Sequence, residues 1–311
     1  MSFACADSNA GTPAATLDAQ FGAWWHDGKA ELSGYSLSVD RYGHRVTGNA
    51  VLIYVTEPFS RSKHVKMNAP SAHPADAADV LKLNLVRHFQ TGIYDYSTQG
   101  STFAELPSLN LLKSAFSSTE WCGQVYEQLD LSGGTLSHHY ASYFEGESAT
   151  GKSKIPAGGM IEDELFVWLR GFGGAYLQPG ETQTVPFLAS AFYRRLAHRG
   201  LEWGDAKITR GADVPVPTGT TSMLALRYQV HTSDGRDGSF LIEADWPHRV
   251  VSWEWTANVA SAAGGTDSGV LLATARLPYW ELHNPGDESM LAKLGLPVPT
   301  QAAAPTAATP E

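Results

Sequence analysis

The strongest constraint on the fold is a hydrophobic alternation with a period of two residues, which recurs four times in the last third of the chain. The alternating runs are 224–230, 240–246, 251–255 and 271–277. Turn-rich segments separate the runs, among them 233–238, "SDGRDG", whose two Asp-Gly pairs permit the positive φ of a hairpin turn. An alternation of this kind is typical of half-buried strands. The sequence therefore predicts a four-stranded antiparallel meander in this part of the chain.

The first half of the chain shows the same pattern less cleanly. Apolar residues alternate over 35–39 and 81–85, and 50–59, 116–131 and 137–145 have the composition of further strands. Antiparallel strands thus account for most of the patterned sequence.

Helical patterning is confined to three short ranges, 160–170, 186–198 and 286–294. The acidic run 162–164 suits the first turn of a helix, because negative charge stabilises a helix N-terminus. The predicted fold class is mainly β, with an antiparallel meander that forms a curled sheet or half-open barrel and a few short helices.

The two ends of the chain differ in composition from the rest. Residues 1–20 and 297–311 are rich in small residues, Pro and Thr, and such segments bury too little apolar surface to offset the entropy of ordering. We expect a flexible N-terminal tether, a disordered C-terminal tail and a single β-rich domain over 21–296. Two packed β halves with a boundary near 175–205 remain an alternative.

Charge narrows the choice of partners. The net charge is −10, and the sequence contains no cluster of cationic residues that would bind a nucleic-acid backbone. Nor does it contain an apolar run of about 18 residues, which a membrane-spanning helix needs. We therefore expect neither a nucleic-acid partner nor a spanning helix.

Residues 146–153, "GESATGKS", match the phosphate-loop pattern of nucleotide-binding enzymes. A working phosphate loop lies between a buried parallel strand and a long helix, because the helix N-terminus supplies the anion site. Here Pro156, Gly158 and Gly159 interrupt the position of that helix. We expect a surface loop over 145–160 and no nucleotide cofactor.

The chain has two cysteines, Cys5 and Cys122. Cys122 lies in a strand pattern beside Glu120 rather than beside a cation that would lower its pKa, so we expect a small core residue rather than a nucleophile, with a disulfide to Cys5 as an alternative. Cys5 heads the N-terminal tether, the position of the lipid-modified cysteine in bacterial lipoproteins. Cys5 is thus a lipid attachment candidate, and a plain exposed or paired cysteine is the alternative.

No residue pattern identifies a catalytic or metal site. His138 and His139 are adjacent on a predicted strand, so their side chains point to opposite faces and do not readily chelate one metal ion. The sequence has neither a "GxSxG" elbow nor an "HExxH" helix, and its many carboxylates single out no acid–base pair. Enzymatic activity stays uncertain, the balance is against it, and we expect no metal and no other cofactor.

Aromatic residues are the most conspicuous feature of the predicted strands. Trp253 and Trp255 share one face, Trp246 lies on the adjacent predicted strand, and Tyr94 and Tyr96 flank Asp95 in "TGIYDYS". A stripe of this kind is typical of a protein core. In a curled sheet with an open mouth the same residues would line an apolar cavity, and on a wet face they would stack against sugar rings. These five residues are the ligand-binding candidates.

Four segments carry a resemblance to a known family: 27–59, "DGKAELSGYSLSVDRYGHRVTGNAVLIYVTEPF"; 91–103, "TGIYDYSTQGSTF"; 117–129, "SSTEWCGQVYEQL"; and 279–296, "YWELHNPGDESMLAKLGL". They resemble an uncharacterised bacterial envelope family, often lipoproteins, over most of 24–296. Members are sometimes labelled septum-formation inhibitors of the Maf type. That label implies a nucleotide pyrophosphatase with an α/β fold, which the meander pattern contradicts.

A looser similarity links the predicted sheet to the curled half-barrels of lipoprotein carriers. The resulting hypothesis is a non-enzymatic protein of the bacterial envelope, periplasmic or tethered to the outer membrane. It would bind an apolar or amphipathic small molecule in a half-open barrel. A carbohydrate-binding β module and a hydrolase of unrecognised type are the alternatives, and the oligomeric state stays open.

Overall fold

A computed structural model describes residues 17, 19–218, 220–257 and 265–299. Strands dominate this part of the chain. The strands of the first half are β1 Ala30–Arg41, β2 His44–Ser60, β3 Ala77–Thr91, β4 Tyr94–Glu105, β5 Asn110–Glu120, β6 Gly123–Ser132, β7 Thr135–Ser142 and β8 Ala149–Lys154. Those of the second half are β9 Met160–Ile161, β10 Thr182–Leu188, β11 Trp203–Arg210, β12 Val214–Thr218, β13 Thr221–Thr232, β14 Arg236–Glu243, β15 Val250–Ala257 and β16 Asp267–Leu277.

All sixteen strands belong to one sheet, in the order β8-β7-β6-β5-β4-β3-β2-β1-β16-β15-β14-β13-β11-β10-β9, with β12 paired to β13. The sheet consists of two meanders that meet at the antiparallel pair of β1 and β16, where Val39 faces Asp267. Every neighbouring pair is antiparallel except β9 and β10. The sheet is curled but not closed, since β8 and β9 are its two free ends. The predicted fold class is confirmed.

The predicted four-stranded meander corresponds to β13–β16, which are consecutive neighbours in the sheet. One prediction in the first half was wrong. The range 116–131 consists of strands, as predicted, but they form the hairpin of β5 and β6, and Cys122 lies exposed in its turn instead of in the core. The alternation pattern missed this turn because the apolar Trp121 occupies it, and that side chain is 63% exposed.

The predicted surface loop at 145–160 is also wrong in part, because Ala149–Lys154 forms strand β8 at the edge of the sheet. All six of its residues are exposed. This edge strand is held by backbone hydrogen bonds to a single neighbour, β7, and has no buried face. Its sequence therefore shows no apolar alternation from which a strand could be predicted.

The helices are short. They are α1 Ala19–Trp25, α2 Leu165–Trp168 and α3 Ala191–Leu196, with 3-10 turns at Pro70–Ala72, Glu162–Glu164, Tyr279–Glu281 and Asp287–Leu294. The predicted helix at 186–198 begins only after β10, and the one at 286–294 is a 3-10 helix bounded by left-handed Gly286 and Gly295. Among the described residues no helix is long and apolar enough to span a bilayer. Most of the predicted tether and tail lies outside the described residues.

Side chains from the strands and helices fill the interior of the curl. Phe166 of α2 packs edge-on against Phe240 and Trp253, with ring centroids 5.5 and 5.4 Å apart. Trp25 of α1 packs in the same way against Phe172. The segment after β9, which contains α2, and the segment before β1, which contains α1, therefore fill the interior of the curl. They are called the interior plugs here.

Ion pairs of buried arginines join α3 and the interior plugs to the strands, and one further pair joins two strands, β3 and β16. The pairs are Arg87–Asp267, Arg170–Glu31, Arg194–Glu127, Arg195–Glu120 and Arg236–Glu162. Two of them come from α3 and reach the first meander, at β5 and β6. Charges removed from water need such partners, because an unpaired buried charge is strongly destabilising.

One end of the sheet, here called the rim, carries the turns β1–β2, β3–β4, β5–β6, β7–β8 and β13–β14, because successive antiparallel strands reverse direction. Helix α3 lies at this end. Its last carbonyl, Leu196 O, accepts a hydrogen bond from Arg41 Nη1 at 3.2 Å, and Arg41 ends β1. The helix therefore spans the mouth of the curl.

Candidate functional site

A cleft opens beside α3 at the rim, with a volume of about 690 Å³ including its open mouth. Three aromatic side chains line it, Phe187, Tyr193 and Trp203. They come from β10, α3 and β11. Strands β10 and β11 are neighbours beside the free edge strand β9, and α3 follows β10 in the chain.

The start of α3 positions Tyr193 in the cleft. Ser190 is the N-cap, and its Oγ accepts a hydrogen bond from the backbone N–H of Tyr193 at 3.2 Å. The backbone N–H of Ser190 donates to Glu162 Oε2 at 3.1 Å. The helix is thus fixed at its first residue, which sets the direction of every side chain that follows.

Arg236, the first residue of β14, forms the floor of the cleft and is only 2% exposed. Its guanidinium lies 2.8 Å from Glu162 Oε2, and its central carbon is 3.9 Å from the centroid of Tyr193 and 4.8 Å from that of Trp255. Burial opposes the charge of Arg236, but the Glu162 carboxylate outweighs burial and leaves the pKa of Arg236 raised. The cleft therefore has a flat cation held between two rings.

A more exposed ion pair flanks the floor. Arg199 Nη1 lies 3.0 Å from Asp234 Oδ2, and the same carboxylate oxygen is 3.4 Å from Arg236 Nε. Burial, together with the charge of Asp234, raises the pKa of Tyr193, so its hydroxyl stays protonated at neutral pH. Tyr193 is then both a hydrogen-bond donor and an acceptor.

The polar lining is balanced in charge. Its arginines are Arg194, Arg199 and Arg236, and its carboxylates are Glu202, Asp205 and Asp234. Trp203 adds a buried indole N–H that has no hydrogen-bond partner among the described residues. Such a surface offers many donors and acceptors beside aromatic faces without a large net charge.

A smaller cavity of about 420 Å³, again including its mouth, lies on the other side of Tyr193 and Arg236, which line both spaces. Part of its wall is apolar, with contributions from Val39, Leu196 and Trp255. The two side chains thus separate a polar space from a partly apolar one.

The five ligand-binding candidates of the sequence do not come together at this site. Trp253, Trp255 and Tyr96 are buried in the core, although Trp255 also contributes to the smaller cavity. Trp246 follows β14 at the end opposite the rim and packs edge-on against Trp24, and Tyr94 is 37% exposed at the β3–β4 turn. A ligand role for these residues stays a prediction.

The residues that form the cleft gave no signal in the sequence. Tyr193 and Trp203 lie in "AFYRRLAHRGLEW", and Arg236 lies in a turn-rich segment that predicts only a hairpin. The one usable signal was the N-cap Ser190 ahead of a short apolar helix.

Two acidic residues of the run 162–164 have strongly perturbed pKa values. Burial, with the neighbouring Glu162 charge, raises the pKa of Asp163 to about 7, and burial raises that of Glu164 to about 7. Glu164 also accepts the backbone N–H of Ile161 at 2.7 Å. Neither side chain belongs to the described lining of the cleft. The two carboxyls whose pKa lies near 7 are therefore not part of the cleft.

The remaining sequence candidates have ordinary surroundings. His138 Nε2 lies 3.5 Å from Glu127, whereas His139 Nδ1 lies 3.1 Å from Thr150 Oγ1 on the exposed side, and the described residues contain no cluster of three or more metal-ligating side chains. Residues 146–153 contribute Glu147, which lies 2.6 Å from His198 Nδ1. Cys5 falls outside the described residues.

No protein-family model matches the chain, and no curated protein matches it. Among solved structures it is similar to a β-barrel-like protein of a domain of unknown function, DUF1849, from Brucella abortus. The identity is 10%, the TM-score is 0.47, and the match covers 79% of this chain and 97% of that one.

Proposed function

We propose that the protein is a non-enzymatic binding protein that holds a small carbohydrate in the cleft between α3 and β11. One observation carries the proposal: aromatic faces and equal numbers of arginines and carboxylates line the same cleft. Sugar hydroxyls both donate and accept hydrogen bonds, and their C–H faces suit the negative face of an aromatic ring. A balanced lining favours such a neutral ligand over a strongly charged one.

The arrangement of titratable groups supports binding rather than catalysis. General acid–base chemistry at neutral pH needs a group whose pKa lies near 7 within reach of the ligand. The carboxyls of that kind, Asp163 and Glu164, belong to the interior plug and not to the described lining of the cleft.

The test is a glycan array followed by calorimetric titration of the best sugar. We expect Trp203→Ala to weaken binding at least tenfold and Trp203→Phe, which keeps a ring but lacks the indole N–H, to weaken it less. Trp280→Ala is the matched control, since Trp280 is an exposed tryptophan that follows β16 at the opposite end. Failure of every sugar to bind the folded protein would overturn the proposal.

An amphipathic molecule is the second candidate ligand, and the smaller cavity favours it. Because Tyr193 and Arg236 line both spaces, and the enclosed room of the smaller one is only about 30 Å³, a ligand with a polar head in the cleft could place one small apolar group beside Leu196 and Trp255. Native mass spectrometry of protein purified gently from cells would detect such a molecule by its mass. If the purified protein carries no such molecule but still binds sugars, the amphipathic ligand is excluded and the carbohydrate proposal stands.

We further propose that the protein works in the bacterial envelope, attached through a lipid on Cys5. The support is the composition of 1–20 with Cys5 at the head of a small-residue segment. Metabolic labelling with a fatty-acid analogue tests it: the wild-type protein should incorporate the label, and the Cys5→Ser variant should not. An unlabelled wild-type protein in the soluble fraction would refute the attachment.

A further inference from the structure

Large hydrophobic side chains lie exposed at several turns of the rim. Ile93 is 69% exposed at the β3–β4 turn, and Tyr94 beside it is 37% exposed. Trp121 at the β5–β6 turn is 63% exposed, and Tyr143, just after β7, is 69% exposed. Scattered exposed apolar residues are normal, but these four belong to successive turns at one end of the sheet.

The four side chains form one surface, here called the aromatic rim patch. The rings of Tyr94 and Trp121 meet edge-on at a centroid distance of 5.9 Å. The ring of Tyr143 lies over Gly123, where an added Cβ would be only 2.4 Å from the Tyr143 Cγ. Contacts therefore run from the β3–β4 turn across the β5–β6 turn to the end of β7.

We propose that the aromatic rim patch docks on the surface of a lipid bilayer. Tyrosine and tryptophan prefer the interface between water and lipid, where an apolar ring and a polar group are both accommodated. The patch consists of turn tips that project from the ends of the strands, so it meets a flat surface more readily than it fills a groove.

Its size also favours a bilayer over a protein. From the exposed fractions, the four side chains offer on the order of 500 Å² of surface, given 150–250 Å² for an aromatic side chain. A stable protein–protein interface needs roughly 800 Å² from each partner. A bilayer requires only a few inserted side chains, particularly when a second anchor is present.

Charge at the rim favours a zwitterionic lipid surface over an anionic one. Two exposed arginines at the rim are already paired: Arg45 with Asp40 at 2.7 Å and Arg199 with Asp234 at 3.0 Å. They leave little free positive charge to attract acidic lipids. Docking by the patch should therefore depend weakly on ionic strength.

The proposal goes beyond carbohydrate binding and does not require it. The cleft opens at the same end of the sheet as the patch, because Ser233 and Asp234 of the β13–β14 turn line it. A docked protein would consequently hold the mouth of the cleft close to the membrane surface.

The test uses the full chain with Cys5→Ser, which removes any lipid anchor and leaves Cys122 as the single thiol. Cys122 is exposed at the β5–β6 turn, beside Trp121 of the patch. For the experiment its thiol is labelled with an environment-sensitive fluorophore. On addition of phosphatidylcholine vesicles we expect a blue shift and a rise in emission. The unlabelled Cys5→Ser protein should co-sediment with the same vesicles, at both low and high salt.

Ile93→Ser should lower vesicle partitioning by about tenfold, and Trp280→Ala, at the opposite end, should leave it unchanged. Ile93 is 69% exposed at a turn, so its replacement should not disturb folding, which the thermal transition checks. The proposal is overturned by any of three results: no spectral change and no co-sedimentation, binding to anionic vesicles alone, or a dimer that Ile93→Ser dissociates.

Discussion

Arg194 of α3 donates from Nη1 to Glu127 Oε2 of β6 at 2.9 Å, and its second terminal nitrogen contacts the other carboxylate oxygen. The two residues are 67 positions apart, and both are buried. Burial alone would raise the pKa of Glu127, but His138 and Arg194 hold it below its usual range. A charged pair therefore fixes α3, and with it the cleft, to the first meander of the sheet.

Glu127→Ala should destabilise the protein by about 3–5 kcal/mol, because it leaves the Arg194 guanidinium buried without its carboxylate. Urea unfolding followed by circular dichroism measures the loss. Asp237→Ala is the control, since Asp237 belongs to an ion pair with His231 in which both side chains are mostly exposed, and about 1 kcal/mol or less is expected. Equal losses in the two variants would show that the buried pair does not anchor α3.

Gly269→Ala should destabilise the fold by about 1–3 kcal/mol through overpacking. A Cβ at Gly269 would lie 2.1 Å from Cη2 of Trp253, whose ring crosses the glycine on the next strand. A smaller ring should relieve the clash. The double variant with Trp253→Phe should therefore lose less stability than the sum of the two single variants, in the same urea experiment. Simple additivity would contradict the contact.

Stability should fall as the pH rises from about 5 to 8. The pKa values of Asp163 and Glu164 are raised to about 7, above the ordinary values near 4. Between pH values near 4 and near 7, the two carboxyls hold protons in the folded protein that they have released in the unfolded chain. A rise in pH over this range therefore lowers the free energy of unfolding, by up to about 1.4 kcal/mol per pH unit for each group.

Asp163→Asn should flatten this slope, and so should Glu164→Gln, whose amide oxygen can still accept the Ile161 N–H. Urea unfolding at pH 5, 6, 7 and 8 gives the slope directly. Carboxyls with lowered pKa values, such as Asp40 and Glu147, act in the opposite sense and at lower pH, as they lose their stabilising charge on acidification. A stability that rises over pH 5–8 would refute the assignment.

Cys122 should react with a thiol reagent in the native protein, because its side chain is exposed at the β5–β6 turn. In the Cys5→Ser variant we expect one equivalent to react without denaturant, at a rate within about tenfold of that in urea. Leu37→Cys provides a buried comparison, since that position is 1% exposed in the core. Protection of Cys122 as strong as that of the buried thiol would contradict the turn.

The sequence predicted the second meander well because each strand there has one face in the core. Leu226, Tyr228 and Val230 of β13 lie opposite Ile242, Phe240 and Gly238 of β14, as the alternation implied. Where the local pattern was weaker, the prediction was wrong. The two central residues of the β5–β6 turn are Trp121 and Cys122, neither of which is typical of turns, and the edge strand β8 has no buried face.

The cleft could not be predicted, because its parts are distant in sequence and each has an ordinary local context. Glu162, Tyr193 and Arg236 belong to three different elements, and only the curl of the sheet brings them within contact distance. The same holds for the aromatic rim patch, whose members are separated by up to 50 residues and share only the end of the sheet on which they lie.

The sequence by itself determined the β class, the second meander and the positions of several short helices, because alternation and turn chemistry act between near neighbours. Only the tertiary structure decided that β1 pairs with β16, that α3 spans the mouth of the curl, and which arginine faces which carboxylate. The strand pairing, the place of α3 and the ion-pair partners depend on burying charges and rings from distant segments together. The free energy of that burial depends on contacts between segments, so it cannot be estimated from any local stretch of sequence.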